Sequence, residues 1–411
     1  MSMKSNTTIK LPLLFILYAL IAFVLAQIIL LFQHELLAAG SFRVPGVWMG
    51  AHFLLLGFAV MIAMGAMYQL VPVAFLTPIW NQTFGFIQFG FTGAGITAFA
   101  LLLYWKPDSA IYGGVIAIIG IIMFIIQMGV TIMKQQKKNT MTLFVLGAIT
   151  CFFLTIIAGF LLAWNVAFGG IGNHQSFLYT HIILGVAGWF TLLIFGFSYK
   201  LVPMFSLSHG FTMKWAKLAF SLYIAGIFVL IASSWMASSI GIKMGWFLLL
   251  AGFIGFFLDM REILNKRMKK KLDCPFMFSL LAIGIGLGLH FSAFVLYLFG
   301  VTKPVIWSWL IFLYVMGWII FSILGYLYKI VPFLWWTHRY SEKIGKEKVP
   351  TLKEMINEKL AVLLFILFII SSLGVLVGGV TGISDIVLLS QLLLTLTSLA
   401  YAGSIIRVLF V

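Results

Sequence analysis

Long apolar stretches, separated by short polar or Gly/Pro-containing breaks, occupy nearly the whole chain. Twelve stretches of roughly 19 to 25 residues can be counted, and each is long enough to cross a hydrocarbon core about 30 Å thick. At about 34 residues per span, almost nothing remains for a domain outside the membrane. The sequence therefore predicts an all-α polytopic membrane protein, a single transmembrane domain over 1–411, with spans at 11–33, 47–75, 84–105, 110–133, 141–164, 177–203, 214–237, 243–262, 276–300, 304–333, 359–380 and 384–408.

Composition supports the same class of protein. The chain is 63% hydrophobic and only 9% charged, whereas soluble domains average about 25% charged residues. A soluble globular protein is therefore excluded. The lipid bilayer is the first partner that the composition implies.

The net charge of +16 requires an explanation, because basic proteins often bind nucleic acids. With a cytoplasmic N-terminus, the outer segments carry only Arg43, Lys106, Lys243 and Lys303, and the other 22 of the 26 basic residues, Lys4 and Lys137 among them, lie on inner segments. This distribution follows the positive-inside rule and predicts that both termini are cytoplasmic. Basicity is then a signal of topology and of contact with anionic headgroups, and no nucleic-acid partner is expected.

An internal repeat organises the sequence. Spans two, six and ten end in similar segments, in which a Gly and a Tyr precede a Pro by seven and four residues: Gly65–Pro72, Gly196–Pro203 and Gly325–Pro332. A Gly-aromatic pair recurs fourteen to fifteen residues before each proline: Gly57-Phe58, Gly188-Trp189 and Gly317-Trp318. We therefore predict three pseudo-symmetric four-helix units, at roughly 11–133, 141–262 and 276–408. Each repeat proline is expected to end its helix at the inner interface.

Histidines are the candidate chemical groups, since an ionisable residue within a membrane is costly and is a functional hypothesis by default. Five of the seven histidines lie on the predicted outer side: His34, His52, His174, His181 and His290. His52 and His181 share a depth of roughly 6 to 8 Å below the outer ends of spans two and six. Their distances to the repeat prolines differ by two residues, which turns them in nearly opposite local directions on related helices.

Two opposed imidazoles on an apolar wall suit a bis-histidine haem, so His52 and His181 are candidate ligands of haem iron. The alternative is two unrelated histidines that bond to neighbouring helices. Arg43 precedes His52 and suits haem propionates, although an interfacial anchor explains it equally well. His290 lies deeper in span nine and is a candidate copper ligand, an alternative axial ligand or a packing residue.

At these residues the chain resembles subunit I of the haem–copper oxidase superfamily, in which twelve spans form three pseudo-symmetric four-helix units. C-type oxidases and the large subunit of bacterial nitric oxide reductases are the most similar branches, and NnrS-type membrane proteins are comparable in length. His52 matches the haem-ligating histidine of span two in that family. The segment from His181 to Trp189 resembles the family's His-x-His-Leu-Gly-x-x-Gly-Trp segment of span ten.

The chain also departs from that family. Leu310 and Phe312 stand where span ten of the family has two haem-ligating histidines, and span seven lacks the histidine pair of the copper site. The usual haem–copper binuclear centre and proton-pumping oxygen reduction are therefore not expected. The resemblance implies a b-type haem in an equivalent position, held by His52 and His181, and it leaves copper binding open.

The resulting hypothesis is a haem b protein of the bacterial cytoplasmic membrane. It would act in electron transfer, or in binding or detoxifying a diatomic gas such as nitric oxide or oxygen, and other respiratory or electron-transfer subunits would be its partners. Whether the protein is an oxidoreductase stays open. The competing hypothesis is a haem-free or haem-handling transporter, or an assembly or structural subunit of a respiratory complex.

Overall fold

The computed structural model describes residues 9–136 and 138–411, and within them the regular elements are helices. Lys4 and Lys137, two of the basic residues in the predicted inner segments, lie outside the described residues. Twelve helical segments of the described chain are long and apolar enough to cross a membrane, as the sequence predicts. The spans, numbered one to twelve in chain order, are Lys10–Leu31, Pro45–Phe75, Gln82–Trp105, Pro107–Met133, Thr140–Phe168, His174–Ser206, Ala216–Trp235, Ser239–Asn265, Cys274–Leu298, Pro304–Lys343, Glu358–Thr381 and Ser384–Phe410.

Polar side chains mark where several spans begin. Asn81 accepts a hydrogen bond from the backbone N–H of Phe84 (3.0 Å) at the start of span three. Asn139 does the same with Thr142 (3.0 Å) at the start of span five, where the threonine side chain accepts from the backbone N–H of Asn139 in return. Such caps satisfy the first N–H groups of a helix, which have no partner within it.

Three spans are interrupted by π-helical segments at matching positions. These segments are Phe53–Val60 in span two, Ile183–Thr191 in span six and Tyr314–Ile320 in span ten. Each ends twelve residues before its repeat proline and contains its Gly-aromatic pair. A π turn closes a wider backbone ring than an α turn and occurs frequently at functional sites. The recurring pairs therefore coincide with a recurring change in backbone geometry.

The repeat prolines lie within their helices, so the expectation that they end them was wrong. The helices continue three residues past Pro72 and Pro203, and eight residues past Pro332. In spans two and six the end comes at Leu76 and Leu207, whose left-handed backbones (φ 52° and 53°) direct their N–H groups to the proline carbonyl. Proline lacks an N–H group but its carbonyl still accepts a hydrogen bond, so the last turn can form around it.

Contacts within the chain divide it into two compact units. The first consists of the described residues up to Lys134 together with Asp273–Ser279 and Ile320–Val411. The second consists of Gln135–Leu272 and Leu280–Ile319. Each has its own aromatic core, with stacked rings such as Phe23 on Phe58 in the first unit (4.5 Å) and Phe195 on Phe256 in the second (3.9 Å).

The repeat glycines allow close approach between the first and second span of each predicted repeat. A Cβ atom placed on each glycine would meet a side chain of the preceding span: Gly65 against Phe15 (2.8 Å), Gly196 against Phe144 (2.9 Å) and Gly325 against Ser279. Membrane helices lack a hydrophobic driving force for association, and small residues at their contacts allow close van der Waals packing instead.

Each repeat tyrosine satisfies its hydroxyl group inside the unit that contains it. Tyr68 donates to Gln88 Oε1 (3.1 Å), and Tyr199 donates to Asp259 Oδ2 (2.9 Å). The hydroxyl of Tyr328 bonds to that of Ser404 (2.6 Å). Since an unpaired buried hydroxyl costs free energy, these bonds make the tyrosines anchors between spans.

The packing of span three against span four predicts how a glycine substitution acts. A methyl group on Gly95 would collide with the backbone of Ala117, whereas Gly90 in the same helix has open space around its Cβ position. We expect Gly95→Ala to reduce the free energy of unfolding by about 1–3 kcal/mol. Gly90→Ala is the matched control and should leave stability unchanged or slightly raised. Thermal unfolding in detergent measures both, and equal melting temperatures would contradict the close contact.

Candidate functional site

His52 ends the first α-helical part of span two, immediately before the π segment Phe53–Val60. The Nδ1 atom lies 2.8 Å from the carbonyl oxygen of Trp48, one turn earlier in the same helix. Because a carbonyl oxygen only accepts, Nδ1 is the protonated nitrogen and Nε2 carries the lone pair of the neutral ring. The ring packs edge-on against Phe99 of span three, with a centroid separation of 5.1 Å.

His181 occupies a similar place in span six, two residues before the π segment Ile183–Thr191. Its Nδ1 atom lies 3.0 Å from the carbonyl oxygen of Thr155 in span five, so Nε2 again carries the lone pair. Gly159 lies beside the ring, and a Cβ atom there would come within 2.9 Å of Cε1. The glycine therefore provides the space that the imidazole fills.

The two histidines belong to different compact units, His52 to the first and His181 to the second. The opposite side-chain directions predicted for these histidines require uninterrupted α-helices between each histidine and its repeat proline. The helices are not uninterrupted, because a π segment of eight residues follows His52 and one of nine residues follows His181 before the proline is reached. A π turn changes the rotation per residue, so the side-chain directions do not follow from residue counts.

The other predicted site residue, Arg43, lies in the exposed bend before span two. Span two begins at Pro45, whose ring suits the first position of a helix. Trp48, whose carbonyl holds His52, lies one turn into this helix. Within the described ranges, no group of three or more His, Cys, Asp or Glu side chains is placed to hold a metal ion.

His290 is fully buried in the second unit, with 1% of its surface exposed. It lies sixteen residues from one end of span nine and eight from the other, about 24 and 12 Å along the helix. Its Nδ1 atom bonds to the carbonyl oxygen of Gly286 (2.7 Å), and its Nε2 atom lies 2.9 Å from the hydroxyl of Tyr223 in span seven. Both ring nitrogens are thus hydrogen-bonded within the protein.

A chain of polar groups extends from His290 across the second unit. The hydroxyl of Tyr223 lies 3.2 Å from that of Tyr314, the first residue of the π segment in span ten. The hydroxyl of Tyr314 lies 2.7 Å from that of Thr191, the last residue of the π segment in span six. Trp318 donates to the threonine oxygen through Nε1 (3.1 Å). Four spans therefore meet at one buried network.

Sequence reasoning identified the depth of His290 but not these partners. Tyr223, Tyr314 and Thr191 are 67, 24 and 99 residues away from it, and no local motif connects them. The available signal was the placement of Tyr314 and Thr191 around the Gly-aromatic pairs of spans ten and six.

A second buried polar cluster lies in the first unit, between spans one and twelve. Gln391 donates through Nε2 to the side-chain oxygen of Gln27 (2.9 Å), and the hydroxyl of Thr395 donates to the backbone carbonyl of Gln27 (3.2 Å). Both glutamines are essentially inaccessible to solvent. Amide pairs of this kind join membrane helices, and the cluster has the composition of an interhelical clamp.

The positions and hydrogen bonds of the three histidines distinguish the chemistry open to each. His52 and His181 each have a defined tautomer and a position beside a π segment, whereas His290 belongs to a closed hydrogen-bond network. No protein-family model matches the chain, and no curated protein matches it.

The contact between Tyr223 and His290 predicts a measurable effect on stability. Tyr223→Phe removes the hydroxyl that lies 2.9 Å from His290 Nε2 and leaves the longer, 3.4 Å contact with Tyr314. Loss of the shorter hydrogen bond should cost about 1 kcal/mol, so the variant should unfold at a lower temperature. Tyr112→Phe, at a position with 64% exposure, is the control that should unfold like the parent protein. Indistinguishable stability of the two variants would rule out the bond.

Proposed function

We propose that the protein binds b-type haem through His52 and His181, near the outer face of a bacterial cytoplasmic membrane in which both termini are cytoplasmic. In this role it acts in electron transfer, or in binding or detoxifying a diatomic gas such as nitric oxide. The observation that carries the proposal is shared by the two residues. His52 lies immediately before one π segment and His181 two residues before another, and each gives its Nδ1 proton to a backbone carbonyl, at 2.8 and 3.0 Å.

The donor chemistry of these histidines fits haem iron. A metal-bound histidine normally donates its second ring N–H to a carbonyl or carboxylate, which fixes the tautomer and orients the ring. In both residues that second nitrogen is Nδ1, so Nε2 is the nitrogen with the lone pair that iron requires. Backbone carbonyls provide this orientation without placing another charge in the membrane.

Space and an apolar contact beside the rings suit a macrocycle that is largely buried. Phe99 packs against His52, and the absence of a side chain at Gly159 leaves room beside His181. Arg43, in the exposed bend before span two, is the candidate cation for the haem propionates.

When bound, haem supplies a one-electron couple and, if one axial position is open, a site for a diatomic gas. The protein's own contribution is to hold the imidazoles neutral and fixed, and to exclude water. Two histidine ligands favour electron transfer, because no position remains for a gas. With a single ligand, His181 is the residue that we retain, since the surrounding sequence resembles the haem-bearing span of the oxidases.

The proposal predicts that both histidines are required for stoichiometric haem. We expect His52→Ala and His181→Ala to lose bound haem, measured by the reduced spectrum and by haem per chain. His338→Ala, in the part of span ten beyond the repeat proline, is the matched control and should keep the parental haem content.

Full haem occupancy in both single variants would overturn the ligand assignment. Loss of haem in only one variant would leave a single histidine ligand and identify the gas-binding form of the proposal. A parent protein without haem, despite adequate haem supply during expression, would instead favour the transporter or scaffold function.

The space beside His181 provides a second test that keeps the ligand itself. A methyl group in Gly159→Ala would lie 2.9 Å from Cε1 and would displace the ring. Changes around a metal ligand typically weaken affinity by 10–100-fold, so we expect haem affinity to fall by about tenfold. Gly129→Ala, at a helical glycine of span four with open space around it, is the control. Haem titration of the apoprotein measures the affinities, and equal values would contradict a role for His181.

A further inference from the structure

The network around His290 is a continuous hydrogen-bond chain in which each hydroxyl can both donate and accept. Its members, in order, are His290, Tyr223, Tyr314 and Thr191, with successive heavy-atom distances of 2.9, 3.2 and 2.7 Å. The hydroxyl of Tyr314 also lies 3.4 Å from His290 Nε2, a longer contact than that of Tyr223. A backbone carbonyl terminates each end. Gly286 accepts from His290 Nδ1 (2.7 Å), and Val186 lies within hydrogen-bond distance of the Thr191 hydroxyl (3.2 Å).

With a neutral imidazole, the chain has one consistent direction. Thr191 donates to Tyr314, Tyr314 donates to Tyr223, and Tyr223 donates to the lone pair on His290 Nε2. Trp318 supplies a further proton donor to the oxygen of Thr191. Each hydroxyl in this arrangement donates one hydrogen bond and accepts one: Thr191 accepts from Trp318, Tyr314 from Thr191, and Tyr223 from Tyr314.

The same heavy-atom positions support the opposite direction. If a proton occupies Nε2, that nitrogen donates to Tyr223, which donates to Tyr314, which donates to Thr191. The threonine hydroxyl then donates to the carbonyl of Val186, and its oxygen accepts from Tyr314 and Trp318. Only hydroxyl hydrogens rotate, and each donor keeps an acceptor.

We propose that His290 is a proton-binding site in the membrane interior, where the hydroxyl chain of Tyr223, Tyr314 and Thr191 reverses its direction to accommodate the bound proton. The proton comes from the aqueous phase and adds to the lone pair of Nε2, so no covalent bond within the protein breaks. The reversal matters because an imidazolium that faced a donating hydroxyl would be both desolvated and opposed by that hydroxyl's dipole.

The groups around His290 are suited to this role. The titratable groups that face it are Tyr223 from span seven and Tyr314 from span ten, both of which are neutral at ordinary pH. Phe253 from span eight packs against the ring at 4.5 Å. The bound proton is therefore stabilised by hydroxyl dipoles.

Proton binding at His290 changes a hydrogen bond in another span through this chain of hydroxyl groups. The terminal carbonyl, Val186, belongs to the π segment of span six and receives the threonine hydrogen only in the protonated direction. That segment begins two residues after His181. A proton in span nine thus changes the hydrogen bonding of the segment adjoining the candidate haem ligand, although the proton site itself does not depend on haem.

The test is a pH titration of the full-length protein in lipid bilayers, with ¹⁵N-labelled histidine and solid-state NMR. His290→Gln identifies the His290 signals by their disappearance. We expect Nε2 to pass from the lone-pair form to the protonated form as the pH is lowered. Thr191→Val leaves both tyrosine hydroxyls beside His290 and should shift the midpoint to lower pH by about one unit, a tenfold weaker proton affinity. Tyr314→Phe also removes the 3.4 Å contact of that hydroxyl with Nε2 and should shift the midpoint at least as far in the same direction.

Thr191→Ser is the matched control, because it keeps the hydroxyl and should titrate like the parent protein. The other histidine signals report whether each variant is folded. A ring that stays neutral throughout the titration would overturn the proposal. So would a midpoint that is the same in the parent, Thr191→Val and Tyr314→Phe proteins, because the chain would then have no part in holding the proton.

Discussion

The bilayer interior offers no water to polar groups, and the arrangement of the histidines follows from that constraint. His52, His181 and His290 each give the Nδ1 proton to a backbone carbonyl, of Trp48, Thr155 and Gly286 respectively. In two cases the carbonyl lies one turn earlier in the same helix, and in the third it belongs to the neighbouring span. A neutral ring with a defined lone pair on Nε2 results each time. The Nε2 atom of His290 faces the hydroxyl of Tyr223, which makes this residue a candidate proton acceptor. His52 and His181 lie beside π segments and are the candidate metal ligands.

The π segments concentrate these features in three of the twelve spans. They occur at one rank relative to the repeat prolines, and they contain the Gly-aromatic pairs that recur along the chain. His52 and His181 adjoin two of these segments, whereas Thr191 and Tyr314 lie at the ends of two of them and join the His290 network. The wider backbone turn therefore appears where a polar side chain has to be oriented within an apolar helix.

The helical fold was predictable because each span needs about 20 apolar residues, a signal that is strong in a single sequence. The helix ends were less predictable, as span six shows. Its predicted end was Pro203, which lacks an N–H group, but the helix continues to Ser206 and the N–H group of the left-handed Leu207 bonds to the proline carbonyl. The candidate histidines were identified from rarity and depth. The surroundings of these histidines were not predictable, because hydropathy contains no information on the rotation of a helix about its axis. The network that joins His290 to Tyr223 depends on the rotation of four spans.

Haem binding by this chain is the central claim, and the visible spectrum of the purified protein tests it most directly. The spectrum is recorded oxidised and dithionite-reduced, then after addition of nitric oxide or carbon monoxide, with haem and copper quantified per chain. The proposed function predicts a reduced b-type spectrum with stoichiometric haem, unchanged by gas if two histidines bind the iron and shifted by gas if one does. A colourless protein, purified intact from cells with ample haem, would contradict it.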